Sequence, residues 1–179
     1  MTRAVFLDRD GVLNAIIERD GKPASPRSPD ELQIVADALS TLMALKAQGF
    51  SLFVVTNQPD IRRGLMSQAS LDAIHARLAT ALPVDGISAC QHDNADNCHC
   101  RKPRPGLILD LALRHGIDLS QSWMVGDQDR DITCGQAAGC RTILLNRPYN
   151  SGAASGADHV VESLSQTLTV ITPTPRLCA

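Results

Sequence analysis

The amino-acid sequence predicts a three-layer α/β fold, in which a mostly parallel sheet lies between two layers of helices. Short apolar segments of strand length alternate along the chain with longer segments whose apolar residues recur at helical spacing. Such alternation is typical of parallel strands joined by right-handed helical crossovers. Several apolar segments also end in acidic or polar residues, and ligands of parallel sheets bind at the carboxyl ends of the strands.

The first half of the chain predicts three strands and two helices. Residues 3–7 are apolar and are followed at once by acidic residues, which indicates a buried strand. Residues 37–48 carry apolar side chains at helical spacing, and Gly49 follows where a left-handed residue commonly ends a helix. A strand at 51–55, a helix at 67–82 and a short strand at 87–89 come next.

The second half repeats this alternation. A helix is predicted over 105–115, because Pro105 suits the first helical turn and Gly116 suits the position after the last one. A strand at 123–125, a helix at 132–138 and a strand at 142–145 follow. The segment 149–157 is rich in Gly, Ser and Ala and is predicted to be a loop. We expect a single domain over residues 1–170 and a flexible tail over 171–179.

Composition and charge limit the classes of function. The chain has 179 residues, with 17 Lys and Arg against 19 Asp and Glu and a formal net charge of -2. It therefore has no general attraction for nucleic acid or for an anionic membrane. Its apolar segments are shorter than the ~20 residues of a membrane span, and its first residues lack the apolar core of a signal peptide. We expect a cytoplasmic monomer without nucleic-acid or membrane partners.

Polar residues that could form one site follow four of the predicted strands. Because parallel strands end at the same edge of a sheet, we expect these side chains to lie close together. They are Asp8 and Asp10 after the first strand, Thr56 and Asn57 after the second, Arg101 and Lys102 beyond the third, and Asp127 and Asp131 after the fourth.

This set of residues suits phosphoryl transfer through a covalent intermediate. Mg²⁺ prefers oxygen ligands, and Asp8 and Asp127 could supply two while leaving positions for phosphate and water. A carboxylate in line with phosphorus can act as a nucleophile, while Mg²⁺, Lys102 and the Thr56 hydroxyl offset the phosphoryl charge. Asp10 could protonate the leaving oxygen and later activate water. A single DxD after a strand is more often a turn, but four polar strand ends in order favour a site.

A cysteine-rich segment follows the third predicted strand. Cys90, His92, Cys98 and Cys100 form a Cys₃His set that could close a tetrahedral Zn²⁺ site. Four protein ligands leave no open position, so the expected role of the zinc is structural. His99 lies between two of the cysteines and could compete with His92. The alternative is a group of reduced thiols without a metal and with histidines at the surface.

The motifs DRDGVLN, VVTNQ, CRKPRPG and VGDQDRD stand in this order over about residues 4–145. They resemble the four motifs of the haloacid dehalogenase (HAD) superfamily of phosphohydrolases. The DRDG, the TNQ and the Cys/His loop ending in CRKP are similar to a narrower branch. That branch holds D-glycero-D-manno-heptose 1,7-bisphosphate phosphatases and histidinol-phosphate phosphatase domains. The resemblance implies a Rossmann-like (HAD-like) fold and a phosphoric monoester hydrolase.

The resemblance also implies a role for each matching residue. Asp8 would be the nucleophile and Asp10 the general acid/base. Asp8, the Asp10 main-chain carbonyl and Asp127 would bind Mg²⁺, Thr56 and Lys102 would hold the phosphoryl group, and Asp131 would orient Lys102. The zinc ligands would be Cys90, His92, Cys98 and Cys100, with His92 rather than His99.

Within the branch, two features look more like the heptose bisphosphatases. These are the CRKPRPG motif and Arg63 followed by Gly64. The implied reaction is removal of the C7 phosphate of a heptose 1,7-bisphosphate, a step of carbohydrate metabolism in lipopolysaccharide biosynthesis. Asn57, Arg63 and Arg101 are the candidate substrate contacts, since guanidinium groups suit bidentate phosphate binding.

The chain departs from the heptose pattern at Pro59, Asp60, Gln91 and Gln128. Histidinol phosphate or another sugar phosphate is therefore the alternative substrate. The alternative from another class of function is a small zinc-stapled binding module in which the acidic strand ends are structural.

The spans between the motifs are too short for a separate cap domain. Residues 14–30, 59–66 and 90–104 are predicted to cover the site as loops. Outside the motifs, His75, His115 and His159 are predicted at the surface or at helix ends, and Cys134 and Cys140 in the core.

Overall fold

A computed structural model of the chain describes residues 2–150 and 156–171. The strands in this part of the chain are β1 (Ala4–Leu7), β2 (Ile17–Arg19), β3 (Lys22–Ala24), β4 (Ser51–Asn57), β5 (Gly86–Cys90), β6 (Trp123–Gly126), β7 (Arg141–Leu145) and β8 (His159–Val161). Six of them form one sheet in the order β5-β4-β1-β6-β7-β8, and β2 and β3 form a separate hairpin. Each pairing within the six-stranded sheet is parallel.

Helices cover both faces of this sheet. In the described residues they are α1 (Ala38–Ala47), α2 (Gln68–Ala81), α3 (Gly106–His115), α4 (Asp129–Ala138) and α5 (Thr167–Ile171). Successive side chains of a strand point to opposite faces. In β1, Val5 and Leu7 pack with α1, α2 and α5, whereas Ala4 and Phe6 pack with α3 and α4. The sheet is thus buried between two helical layers, which confirms the predicted three-layer α/β fold.

The strand order brings the polar strand ends together. β1 lies between β4 and β6, and Leu7 is opposite both Val54 and Val125. Because the three strands run in the same direction, the residues that follow these positions meet at one edge of the sheet. That edge is where the chain crosses to opposite sides of β1, the usual ligand position in such sheets.

The segment 14–30 differs from its prediction as a loop, because it contains the antiparallel hairpin of β2 and β3. Ile17 pairs with Ala24, and Arg19 pairs with Lys22. Strands of three residues are too short for a detectable alternation, and a proline such as Pro23 is unfavourable inside a strand. The prediction of loop structure is therefore wrong for these residues.

Two elements, β8 and α5, follow the last strand that the sequence predicts. β8 extends the sheet through the pairing of Leu145 with Val161. Ile171, which the sequence analysis assigns to the tail, is buried at the end of α5. The rest of that tail, 172–179, and residues 151–155 of the predicted loop lie outside the described residues. None of the helices in 2–150 and 156–171 has the length and apolar character needed to cross a bilayer.

Candidate active site

Four buried polar residues meet at the carboxyl edge of the sheet. Asp8 follows β1, Thr56 lies near the end of β4 and Asp127 follows β6, while Lys102 reaches them from the loop before α3. The structure thus brings together residues that are up to about 120 positions apart in the chain. Each belongs to the set that the sequence predicts for one site.

Lys102 is the centre of the ion pairs at this edge. Its Nζ lies 2.9 Å from Oδ1 of Asp8 and 2.6 Å from Oδ1 of Asp131, and it donates a hydrogen bond of 2.8 Å to the Val55 carbonyl. Burial opposes the charge on Lys102, but the two carboxylates outweigh this effect and raise the pKa of Lys102. Lys102 therefore stays protonated and holds Asp8 in place.

Asp131 can approach Lys102 because of a glycine at the end of β6. A Cβ atom at Gly126 would lie 2.1 Å from the Cβ of Asp131, so a side chain cannot be accommodated there. The second carboxylate oxygen of Asp131 accepts a hydrogen bond of 3.0 Å from the Gln128 amide. Both oxygens of Asp131 are thus engaged within the protein.

Asp8 and Asp127 are the carboxylates best placed for a cation. Burial raises the pKa of Asp8 to about 7 against the opposing charge of Lys102, and burial also raises the pKa of Asp127. Oδ1 of Asp127 is buried and has no hydrogen-bond partner among the described residues. Ligand atoms of Asp8, Asp127 and Asp131 lie within 4.8 Å of one another. An oxygen-rich cluster with an unpartnered carboxylate oxygen fits a hard cation such as Mg²⁺.

Asp10 lies beside this cluster in a network of its own. Arg9 is fully buried and donates from Nε to Oδ1 of Asp10 and from Nη2 to Oδ2, each at 3.0 Å. Asn14 donates to Oδ1 at 3.1 Å and Gln58 to Oδ2 at 2.8 Å. Burial alone would raise the pKa of Asp10, but the Arg9 charge and these hydrogen bonds outweigh it and lower the pKa. Asp10 is therefore an ionised carboxylate in the resting site.

Arg9 has a second partner in His75, whose Nε2 lies 3.2 Å from Nη1 of Arg9. Burial, reinforced by the Arg9 charge, lowers the pKa of His75 to about 4. A neutral imidazole can accept a hydrogen bond from the guanidinium group through Nε2. The prediction of His75 as a surface or helix-end residue is wrong, since His75 lies within α2 and contacts the network around Asp10.

The residues of the TNQ motif divide between the site and its support. Thr56 Oγ1 accepts a hydrogen bond of 2.9 Å from Gln58. Asn57 donates to the Lys102 carbonyl at 3.0 Å and accepts from the Lys102 amide at 3.1 Å. Asn57, a candidate substrate contact, thus fixes the backbone that carries Lys102.

Two adjoining cavities lie over this edge of the sheet. The first, of about 340 Å³, is lined by Asp8, Asp10, Thr56 and Asp127 among others, and the second, of about 440 Å³, is lined by several arginines. Five residues line both cavities, so the two are parts of one cleft: Pro23, Ala24, Ser25, Asn57 and Arg130. Lys102 does not line the first cavity, because its ammonium group lies between Asp8 and Asp131.

The arginines of the second cavity differ in how far their charges are balanced. Arg27 pairs with Asp60 at 2.6 Å, and Arg63 pairs with Asp93 at 2.6 Å. Within the described part of the chain, Arg101 donates only to uncharged oxygens, those of the Asn94 side chain and the His92 main chain. Arg130, in the first turn of α4, is exposed and has no hydrogen bond or ion pair within the described ranges.

The cysteine cluster has the geometry of a four-coordinate metal site. Sγ of Cys98 lies 3.6 Å from Sγ of Cys90 and 3.5 Å from Sγ of Cys100. Nδ1 of His92 lies 3.6 Å from Sγ of Cys90 and 3.5 Å from Sγ of Cys100. The separations are far longer than the ~2.05 Å of a disulfide. They suit the edges of a tetrahedron with zinc bond lengths of about 2.0–2.3 Å. His99 instead faces Asp110 at 3.4 Å.

Arg9, Arg130 and Tyr149 lie at the site and were not predicted from the sequence. Arg9 stands between two aspartates, where an arginine in the DxD motif could have indicated a buried ion pair. Arg130 follows the fourth motif but resembles an ordinary exposed helix residue. Tyr149 lies in a predicted loop, and no local pattern points from it to the site.

Comparisons with known proteins agree with this geometry. A HAD hydrolase-like family model matches residues 99–167. A D-glycero-beta-D-manno-heptose-1,7-bisphosphate 7-phosphatase of Bordetella bronchiseptica is 37% identical over 148 residues, covering 80% of each chain. The enzyme of that name from Pasteurella multocida is 31% identical over 179 residues, covering 92% of this chain and 94% of its own. The crystal structure of D,D-heptose 1,7-bisphosphate phosphatase from B. bronchiseptica, complexed with magnesium and phosphate, gives a TM-score of 0.81 at 32% identity, covering 95% of this chain and 98% of that one.

The fold, the carboxylate and lysine cluster and these matches define the chain as a HAD-like phosphatase, a phosphoric monoester hydrolase. Within this class it belongs to the family of the D-glycero-beta-D-manno-heptose-1,7-bisphosphate 7-phosphatases. The resemblance drawn from the four motifs is confirmed. The alternative of a binding module without enzymatic activity is not supported.

Asp8→Asn is expected to stabilise the metal-free protein increasingly as the pH rises. The pKa of Asp8 is raised from 3.8 to about 7, chiefly by burial. Between these pH values the native state keeps a proton that the unfolded state releases, so its stability falls as the pH rises through this window. Asparagine has no such dependence. Thermal denaturation in EDTA should show Tm values that are close near pH 4 and diverge up to about pH 7.

Asp20→Asn is the matched control, because Asp20 is exposed in the turn between β2 and β3. This variant removes a carboxylate outside the site and measures the general effect of losing one negative charge on Tm. A constant difference for Asp8→Asn between pH 4 and pH 8 would contradict the effect of burial on Asp8.

Proposed function

We propose that this HAD-like phosphatase removes the C7 phosphate of D-glycero-D-manno-heptose 1,7-bisphosphate in a Mg²⁺-dependent reaction. The observation that carries the proposal is the two-part cleft. Its first part is lined by Asp8, Asp10 and Asp127, and its second part is lined by arginines. A small sugar with a phosphate at each end matches this arrangement. The names of the relatives support the same substrate.

Asp8 is the proposed nucleophile. A carboxylate oxygen of Asp8 forms a bond to the phosphorus of the C7 phosphate while the bond from phosphorus to the C7 oxygen breaks. Asp10 gives a proton to the departing oxygen, which leaves as the sugar hydroxyl. Asp10 then takes a proton from water, and that water attacks the phosphorus of the aspartyl-phosphate. Inorganic phosphate leaves and the Asp8 carboxylate is restored.

The resting site has the reverse of the charges that these steps need, since the pKa of Asp8 is raised and that of Asp10 is lowered. Asp8, Asp127 and the main-chain carbonyl of Asp10 would hold Mg²⁺. The cation supplies positive charge that favours the ionised form of Asp8 and offsets the charge on the phosphoryl oxygens. A phosphate dianion entering beside Asp10 favours the protonated form of Asp10. Substrate and cation together thus establish the charges that catalysis needs.

Lys102 and Thr56 are proposed to act on the phosphoryl group from different positions. Thr56 lines the first cavity and can donate its hydroxyl to a phosphate oxygen. Lys102 lies behind Asp8 and acts through its charge, and Asp131 keeps that charge in position at 2.6 Å. Asn57 contributes by fixing the Lys102 backbone.

The second phosphate of the substrate is proposed to bind Arg101 and Arg130. These two guanidinium groups lack a carboxylate partner among the described residues, whereas the charge of Arg63, the other arginine predicted to contact substrate, is already balanced. Asp60, one of the departures from the heptose pattern, is paired with Arg27. Its negative charge is therefore largely neutralised before the substrate arrives.

A structural Zn²⁺ bound by Cys90, His92, Cys98 and Cys100 is proposed to stabilise the loop that carries Arg101 and Lys102. The loop is polar, and among its described residues only the cysteines belong to the hydrophobic core or pack against it. The cytoplasmic location and monomeric state expected from the sequence belong to the same proposal, and light scattering after size exclusion tests the oligomeric state.

A substrate panel tests the proposed reaction. With Mg²⁺ present, kcat/KM for the heptose 1,7-bisphosphate should exceed the values for histidinol phosphate, hexose monophosphates and a 3′-phosphorylated oligonucleotide by about 100-fold or more, since two charged ends are recognised. Chelation of Mg²⁺ and Asp8→Asn should each abolish turnover. A preference for histidinol phosphate, or activity retained by Asp8→Asn, would contradict the proposal.

Arg130→Gln should weaken binding of the bisphosphate selectively. Loss of a charge-assisted contact should raise KM for the bisphosphate about tenfold, with kcat and the kinetics of a monophosphate nearly unchanged. Arg114→Gln, at an exposed position of α3, is the control and should behave as the wild type. Equal effects on both substrates would show that Arg130 does not bind the distal phosphate.

Cys98→Ser should remove the zinc and lower stability. Elemental analysis should find about one zinc per chain in the wild type and far less in the variant, with a lower Tm, because metal binding is coupled to folding of the site. Cys140→Ser alters a buried cysteine outside the cluster and should retain the zinc. Wild-type protein without zinc would refute the structural site.

A further inference from the structure

Residues 147–150, which follow β7, are hydrogen-bonded to the edge of the candidate active site. Arg147 donates from Nε to the Gly11 carbonyl at 3.0 Å, and its amide donates to the Asn150 side chain at 2.7 Å. Asn150 in turn donates to the main-chain carbonyls of Asp127 and Leu145. These contacts join the segment to the residues after β1 and β6. Tyr149 is thereby held beside Asp127.

The two carboxylate oxygens of Asp127 have different surroundings. Oδ2 accepts a hydrogen bond of 2.6 Å from the Tyr149 hydroxyl and lies 3.4 Å from the side-chain nitrogen Nε2 of Gln128. Oδ1 is buried and has no partner among the described residues. A carboxylate that is held through one oxygen presents the other in a fixed direction.

We propose that Tyr149 is a positioning residue, which holds Oδ2 of Asp127 so that Oδ1 is directed at the divalent cation. This inference rests on the proposed function, in which Asp127 is a ligand of Mg²⁺. Gly11 makes room for the pair: a Cβ atom there would lie 2.2 Å from Oδ2 of Asp127 and 2.4 Å from the Tyr149 hydroxyl. The hydrogen bond between Tyr149 and Asp127 therefore requires a glycine at this position.

Tyr149 also lies between two cavities, and the experiment must separate this role of its ring from the role of its hydroxyl. Tyr149 lines both the first cavity and a neighbouring cavity of about 470 Å³, as do Ile16 and Pro23. Tyr149→Phe keeps the ring between the cavities and removes only the hydroxyl. Tyr149→Ala removes both.

The decisive measurement is Mg²⁺ binding by calorimetry in the absence of substrate. Tyr149→Phe should raise the Kd for Mg²⁺ about tenfold, the effect expected when a ligand loses its outer hydrogen bond. The Mg²⁺ concentration for half-maximal activity should rise by the same factor, while the substrate KM at saturating Mg²⁺ should stay within about twofold of the wild type. If the Kd for Mg²⁺ changes in Tyr149→Ala but not in Tyr149→Phe, the ring matters only because it separates the cavities, and the positioning role of the hydroxyl is refuted.

Asp127→Asn separates failure of the inference from failure of the proposed function. If the wild type binds Mg²⁺, Asp127→Asn does not, and Tyr149→Phe binds as the wild type does, the positioning role is refuted and the metal ligand stands. If Asp127→Asn binds Mg²⁺ as the wild type does, Asp127 is not a ligand, and the inference fails together with that part of the proposed function. The Tm of each variant, measured in EDTA, checks that the fold is retained.

Discussion

Burial of the Lys102 ammonium group is the constraint on which the site depends. A buried charge is tolerated only when paired charges and hydrogen-bond acceptors replace water. Asp131 supplies the paired charge for Lys102, and an oxygen of Asp8 and the Val55 carbonyl are the acceptors; these groups come from α4, from the end of β1 and from β4. The lysine therefore ties the loop before α3 to three elements at once, and Asn57 fixes the loop backbone from β4.

In the resting site, the pKa values of Asp8 and Asp10 are shifted in the directions opposite to those that the proposed reaction needs. Burial favours a protonated Asp8, whereas Arg9 favours an ionised Asp10. The proposed reaction needs an ionised Asp8 and a protonated Asp10, which a cation bound at Asp8 and a phosphate dianion beside Asp10 would favour. Arg9 meanwhile keeps Asp10 in one orientation through two hydrogen bonds.

Much of the fold and part of the site could be predicted from local pattern. The strands β1, β4, β6 and β7 are apolar segments that end in polar residues. Their apolar side chains are buried in the core, so a local run of apolar residues is enough to predict them. β2, β3 and β8 have three residues each, too few for a period to be detected. β8 forms by pairing with β7, whose outer edge is free in the folded sheet. Such a pairing cannot be read from the residues of β8 themselves.

The chemistry that could be assembled follows from the sequence alone, because residues at the ends of parallel strands must meet at one edge of the sheet. The sequence also indicates the four zinc-site candidates, which are close together along the chain. Which charges are balanced, and which side chains have partners, depends instead on how the folded chain packs. Arg63 is paired and Arg130 is not, and Tyr149 meets Asp127. These contacts join residues more than 20 positions apart, so they depend on the packing of loops and helices, which no local pattern encodes.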